Sequence, residues 1–257
     1  MSVPVALLRP PTEAFGACVT DEPPDPPLDP AVAASQHDAY RRALEDGGFA
    51  TRMLASPSGH PDAPFVEDTA VVVGDRAVIT RPGHPSRRGE VDGVAGAVDG
   101  LVRSIARIAP PARIDGGDVL QVGHTVFVGR SSRTDDAGIA ALRSAVPDRR
   151  IVPVDVDGVL HLKSAVTAPD ARTVLVAPGA VDEAPFAPLR IVHCSDDPNV
   201  VRLPDGRVLV AAAGTAGLLG RLGHVPVLVD IGEFARAGGG LTCLSVRIRD
   251  VYATGTP

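Results

Sequence analysis

Aromatic side chains are scarce in this 257-residue chain: they make up 3% of it, and tryptophan is absent. Stacking platforms for single-stranded nucleic acid are therefore not expected, and core volume has to come from Val, Leu, Ile and Ala. Positive charge is also short. The 25 Lys and Arg residues are outnumbered by 31 Asp and Glu, giving a net charge of −6, which argues against a nucleic-acid or anionic-membrane partner. Three cysteines are too few, and odd in number, for a disulfide framework; they fit a reducing, cytoplasmic location. The longest weakly polar run, Val208 to Gly220, lies between Arg207 and Arg221 and is too short for a membrane span. The opening MSVPVALLRPP lacks the basic start of a signal peptide. No HxxxH, HExxH or CxxC supports a metal site, and neither GxGxxG nor a phosphate-binding loop is present.

What is there has a recurring form. The length suits one domain spanning 1–257. Residues 9–30 are rich in proline and acidic groups and read as a surface loop or a mobile lid. Helices are expected at about Pro30–Glu45, Arg87–Ile108, 135–146 and 214–223. Hairpins are expected around Gly74-Asp75, Gly123-His124 and Pro204-Asp205-Gly206, with a fourth across HLKSAVT and ARTVLVA. LTCLSVRI reads as the last strand. The hairpins open at Asp68, Asp118, His161, Asn199 and Cys243, roughly 40–50 residues apart, a spacing that points to radial or solenoidal repetition. Arranged about an axis, such units bring their opening residues together.

Each candidate has a plain structural alternative. Cys243, after Gly238–Gly240, reads alone as a small buried hydrophobe, and His161, in VLHLKS, as a hydrogen-bonded core histidine within an apolar strand. Asp62, Glu67 and Asp68 in PDAPFVED, and Asp115 and Asp118 in DGGD, suit polar turns. The VED pair nevertheless enters an apolar strand directly, a place suited to receive a cation. Arg81, Arg87 and Arg88, and Arg130 and Arg133, are either solvated surface or a grip for a carboxylate.

Taken in order, PDAPFVEDTAVV, AVITRPGHPSRRGEV, DGGDVL, FVGRSSRT, LHLKS and GLTCLSV resemble the dimethylarginine dimethylaminohydrolases, a family of the guanidino-modifying pentein superfamily. The resemblance runs from about residue 60 to 247, and the first 60 residues match only loosely. It implies an α/β fold, a five-bladed propeller of ββαβ modules. It also implies hydrolysis of Nω-methylated arginine to citrulline and a methylamine, without metal or organic cofactor. By resemblance, Cys243 is the nucleophile, His161 the acid/base and Asp115 its orienting carboxylate. Glu67 and Asp68 hold the guanidinium, helped by the carbonyl of Ala237. Asp62, Arg87 and Arg133 hold the rest of the substrate, the arginines gripping its α-carboxylate. The implied partner is a small methylated arginine, bound by a monomer or homodimer. Two departures bear on substrate preference: Gly238 stands where many relatives carry an acidic residue, and the lid segment is unusually rich in proline. An arginine deiminase-like hydrolase is the alternative enzyme, although the chain looks too short for that family's extra helical domain. A propeller that binds arginine-like ligands without turnover is the non-enzyme alternative.

Overall fold

The computed structural model describes residues 3–20 and 22–251. Its strands are β1 (Val5–Leu8), β2 (Ala50–Met53), β3 (Ala70–Val73), β4 (Arg76–Ile79), β5 (Ser104–Arg107), β6 (Val119–Val122), β7 (Thr125–Arg130), β8 (Arg150–Asp155), β9 (Val166–Thr167), β10 (Thr173–Val176), β11 (Arg190–His193), β12 (Val201–Arg202), β13 (Val208–Val210), β14 (Pro226–Leu228) and β15 (Val246–Ile248). The α-helices are α1 (Pro30–Asp46), α2 (Val91–Val98), α3 (Asp136–Ala145), α4 (Leu162–Ala165), α5 (Ala213–Arg221) and α6 (Gly232–Arg236).

These strands form five three-stranded sheets with one plan. A first strand pairs antiparallel with a second, which pairs parallel with a third. The hairpins require tight reversals. Gly74 and Gly123 supply them with φ of 60° and 59°, a conformation that costs glycine little. The parallel step needs a crossover, supplied by α2, α3 and α5 in three sheets and by a short 3-10 turn, Ala184–Phe186, in another. In the remaining sheet α1 is the crossover between β1 and β2, and the first strand is β15 from the other end of the chain. That pairing closes the ring. The third strands are the most exposed and the first two mostly buried, so the apolar clusters lie between and around the inner strands.

The first strands of all five sheets line one cavity of about 400 Å³, through β3, β6, Thr167 of β9, β12 and β15. This is the axis that the spacing of hairpin openings implied, and five ββαβ-type blades surround it. A one-turn 3-10 helix precedes three of the first strands, at Val66–Thr69, Gly116–Asp118 and Leu241–Leu244, and α4 precedes β9.

The structure corrects three local expectations. The segment 87–108 is not one helix. A 3-10 turn, Pro85–Glu90, leads into α2, which ends at Val98. Gly100 then reverses the chain with φ of 73°, and 104–107 becomes β5. Ile105 and Ile108 fitted the helical spacing, yet Ile105 is exposed on an outer strand. His161 is not inside a strand but immediately before α4, and Cys243 sits in a 3-10 turn rather than at a strand head. Helix α1 matches its expected span, capped by the Asp29 side chain with Pro30 in the first turn.

Two helical glycines separate propensity from packing. Gly220 of α5 has open space where a Cβ would sit, whereas a Cβ on Gly138 of α3 would lie 2.0 Å from the Arg113 carbonyl oxygen. Gly220→Ala should therefore stabilise the protein by roughly 0.5–1 kcal/mol. Gly138→Ala should destabilise it by about 1–3 kcal/mol or more, despite the same gain in helix propensity. Thermal melts of the two variants will show shifts of opposite sign.

Candidate active site

The turn carrying Cys243 is shaped by the glycines before it. Gly238 has φ of 79°. A Cβ on Gly239 would lie 2.2 Å from the Phe65 ring, and one on Gly240 would lie 2.6 Å from the Asn199 amide. The chain is thus pressed between two neighbours before it enters Leu241–Leu244. Asn199 then holds the turn. Its Oδ1 accepts from the Thr242 N–H at 2.9 Å, and its Nδ2 donates to Thr242 Oγ1 at 3.1 Å and to the Lys163 carbonyl at 2.9 Å. Asn199 therefore ties the cysteine turn to α4, which begins beside His161.

His161 is buried, with Nε2 3.0 Å from Asp115 Oδ2. The other Asp115 oxygen accepts from the Gly83 N–H at 2.7 Å, which fixes the carboxylate. Asp68 Oδ1 lies 4.0 Å from the same ring nitrogen and accepts from the Gly117 N–H at 2.8 Å. A Cβ on Gly117 would fall 2.6 Å from His161 Nδ1, so this glycine lets the imidazole come close to the DGGD backbone. Asp118 does not enter the cluster of carboxylates at Nε2. It accepts from Ser131, Thr134 and the Leu162 N–H, and so sets the entry to α4.

These neighbours decide the charge states. Burial works against an imidazolium at His161, but Asp68, Asp115 and Asp118 outweigh it and hold the group up at about 9. Burial raises the Cys243 thiol to about 12, helped by the negative charges of Glu67 and Asp68 and only partly opposed by the Gly240 N–H and Lys163. Asp68 itself is held below the usual carboxylate range: burial would raise it, but His161, Arg87 and the Gly117 N–H prevail. Ligating atoms of Asp68, Asp115 and His161 lie within 4.8 Å of one another, and each of the three already has protein partners.

Cys243, His161, Asp62, Asp68, Arg87, Arg133 and Ala237 line one small cavity of about 30 Å³. Of the nine site residues expected from sequence, two stand outside its wall. Asp115 lies behind His161, where an orienting carboxylate belongs. Glu67 lies on the other side of the turn and faces the larger axial cavity. Its Oε1 receives Lys163 at 2.5 Å and Arg247 at 2.8 Å, while its buried Oε2 has no partner among the described residues.

Arg87 differs most from expectation. It is buried, and its guanidinium is spent on Asp68, Glu90 and the carbonyls of Asp62 and Phe65. It holds the Asp68 carboxylate in place rather than presenting a free fork to a ligand. Arg133 is half-buried, and its side chain has no hydrogen bond or ion pair among the described residues. The Asp62 carboxylate accepts from the Val19 N–H at 3.1 Å, so the proline-rich segment lies over the cavity. Phe15 anchors that segment against Phe65 and Phe234, with ring centroids 6.3 and 5.1 Å away. Sequence reasoning did not assign site roles to Asn199, Lys163, Glu90 or Arg247. The hairpin spacing marked Asn199, and the motifs LHLKS and AVITRPGHPSRRGEV contained Lys163 and Glu90 without giving them a role, but nothing marked Arg247.

No family model matches the chain. An N(G),N(G)-dimethylarginine dimethylaminohydrolase of Streptomyces coelicolor is 43% identical over 252 residues, covering 96% of this chain and 98% of its own length. The enzyme of the same name from Pseudomonas aeruginosa is 30% identical over 227 residues, 85% of this chain and 89% of its own. A structure of the Pseudomonas protein, a cysteine-to-serine mutant complexed with citrulline, superposes with a TM-score of 0.88 at 28% identity, covering 96% of this chain and all of that one. The N-terminal domain of ArgZ, a cyanobacterial arginine dihydrolase, shares the fold alone, with a TM-score of 0.84 at 17% identity over 96% of this chain and 98% of that one. The chain belongs to the dimethylarginine dimethylaminohydrolase family.

Proposed function

We propose that this chain hydrolyses Nω-methylated L-arginine to L-citrulline and a methylamine, with Cys243 as nucleophile. The reading takes residues 1–257 as one catalytic unit and 9–30 as its lid. The observation that carries it is the charge pattern around the small cavity. One end gathers a thiol, an imidazole and Asp68, with the Glu67 oxygen that has no partner among the described residues beside the thiol's turn. The lining also holds Arg133, whose charge has no partner among the described residues, and Asp62 beneath the lid. A zwitterionic arginine matches both ends: its guanidinium suits the carboxylates, and its α-carboxylate suits Arg133.

A guanidinium is resonance-stabilised and a poor electrophile, so attack at Cζ calls for a thiolate. Free Cys243 is mostly thiol. A bound cation would change that. At ~4 Å and an effective dielectric near ~20, one unit charge is worth about 4 kcal/mol, or roughly three pK units. That is comparable with the elevation the site imposes. The thiolate sulfur then bonds to Cζ. His161, held as imidazolium by Asp115 and Asp68, gives its proton to the departing dimethylamine as the C–N bond breaks. The resulting S-alkylthiouronium is attacked by water, whose proton passes to His161. The C–S bond then breaks as the remaining hydroxyl proton passes to sulfur, releasing citrulline and returning Cys243 to its thiol.

Citrulline should form from asymmetric dimethylarginine, with much less from arginine as the control. Cys243→Ser should abolish turnover, and His161→Ala with substrate should leave a Cys243 adduct visible by intact mass. Turnover surviving in Cys243→Ser would defeat the reading.

The pH profile has a definite sign. At neutral pH the free site carries a proton on both Cys243 and His161, and the reactive form carries one fewer. A plot of log kcat/KM should therefore climb with a slope near one up to about pH 9 and flatten above it. A profile flat from neutral pH upward would contradict these charge states.

A further inference from the structure

We infer that Arg247 is a positioning residue for the proposed reaction, fixing the distance and the charge balance between the Cys243 turn and the Glu67 carboxylate. The inference rests on the functional reading above but adds to it a residue outside the expected set. Arg247 lies four residues after Cys243, at the centre of β15 between the buried Val246 and Ile248, and points into the axial cavity.

Its guanidinium folds back onto its own chain. Nη1 donates to the Thr242 carbonyl at 3.0 Å, the Ser245 carbonyl at 3.2 Å and Ser245 Oγ at 2.8 Å. Thr242 is the residue before the cysteine, and Ser245 is two residues after it. The far side of Ser245 Oγ is held by Tyr40 of α1 at 2.8 Å. The same guanidinium sends Nη2 to Glu67 Oε1 at 2.8 Å, in a separate blade 180 residues away. Asn199 clamps the start of the turn and Arg247 its end, and only Arg247 of the two reaches the carboxylate.

The division of Glu67 into a held oxygen and a free one follows. Arg247 and Lys163 both sit on Oε1, which leaves Oε2 buried without a partner among the described residues. Such a group is costly to leave unmade and is suited to receive an N–H of the substrate. Charge is the second contribution. The charged groups acting on the thiol are Glu67, Asp68 and Lys163, with His161 across the cavity. Arg247 offsets the Glu67 charge that disfavours the thiolate. A hydrophobic residue at position 247 would keep the strand and lose both effects. Lysine would keep the charge but could not span two carbonyls, a hydroxyl and a carboxylate with a planar fork.

The test compares wild type, Arg247→Gln and Arg247→Lys, each checked for folding by circular dichroism. The thiolate midpoint of Cys243 is titrated by ultraviolet absorbance against a Cys243→Ser background. Arg247→Gln should raise the midpoint by about one unit, a tenfold loss of thiolate at fixed pH, and raise KM for dimethylarginine as Glu67 swings free. Arg247→Lys should restore the midpoint while KM stays raised. A folded Arg247→Gln with the wild-type midpoint and KM would overturn the inference. If Arg247→Gln does not fold, Arg247→Lys decides: a wild-type KM in that variant would equally overturn it. The titration needs no turnover, so a wild type that fails to produce citrulline would sink the functional reading and leave the Arg247 result readable.

Discussion

The site is organised around negative charge gathered where apolar packing has excluded water. Glu67, Asp68 and Asp115 are all buried. Their field pushes the two groups proposed to react the same way, holding the imidazole protonated and, with burial, the thiol protonated too. Such an arrangement is incomplete without a cation. Arg87 and Lys163 neutralise the carboxylates from behind, and the cavity in front waits for the charge of the substrate. In the proposed reaction this answers a chemical problem: a permanently exposed thiolate would be open to oxidation and alkylation, whereas a thiol made nucleophilic by the bound guanidinium would be activated only with its target in place.

The fold supplies that geometry because a similar entry recurs at four of the five blade mouths. A helical turn before the first strand turns a polar side chain into the small cavity, as with Asp68 and Cys243, while His161 is delivered there from the position just before α4. Hydrogen bonds between mouths then replace what one continuous element would provide. Gly117 donates to Asp68, Asn199 holds Thr242, and Arg247 reaches Glu67. The closing pair of β15 with β1 is therefore a functional constraint as well as a topological one, because it fixes the strand that follows the cysteine turn.

Much of this was legible in the sequence. Alternation and turn residues marked the hairpins at Gly74 and Gly123, and Asp29-Pro30 marked the start of α1. The spacing of Asp68, Asp118, His161, Asn199 and Cys243 implied converging hairpin mouths; Asp68, His161 and Cys243 share the small cavity, while Asp118 and Asn199 hold the adjoining turns. The failures have local causes. Ile105 and Ile108 continue the helical period of Val94 and Val98 by coincidence, and the reversal at Gly100 cannot be told from a tolerated helical glycine without knowing that β4 lacks a parallel partner. The one-turn helices at the blade mouths are too short to leave a period. Orientation was the other gap. Glu67 and Asp68 are adjacent, yet one faces the axial cavity and the other the small one. Arg87 looked like a free cation because its partners, Glu90 and Asp68, are ordinary charged neighbours in the sequence. Arg247 became visible only once β15 was placed beside Glu67.

The central claim is that the charge of the ligand, not merely its presence, brings the Cys243 thiol into its reactive form. The direct measurement is the thiolate midpoint of Cys243, read as the difference from Cys243→Ser, with no ligand, with saturating arginine and with saturating citrulline, its uncharged counterpart. The account predicts a clear fall with arginine and little change with citrulline. An equal shift with both ligands, or none with either, would contradict it.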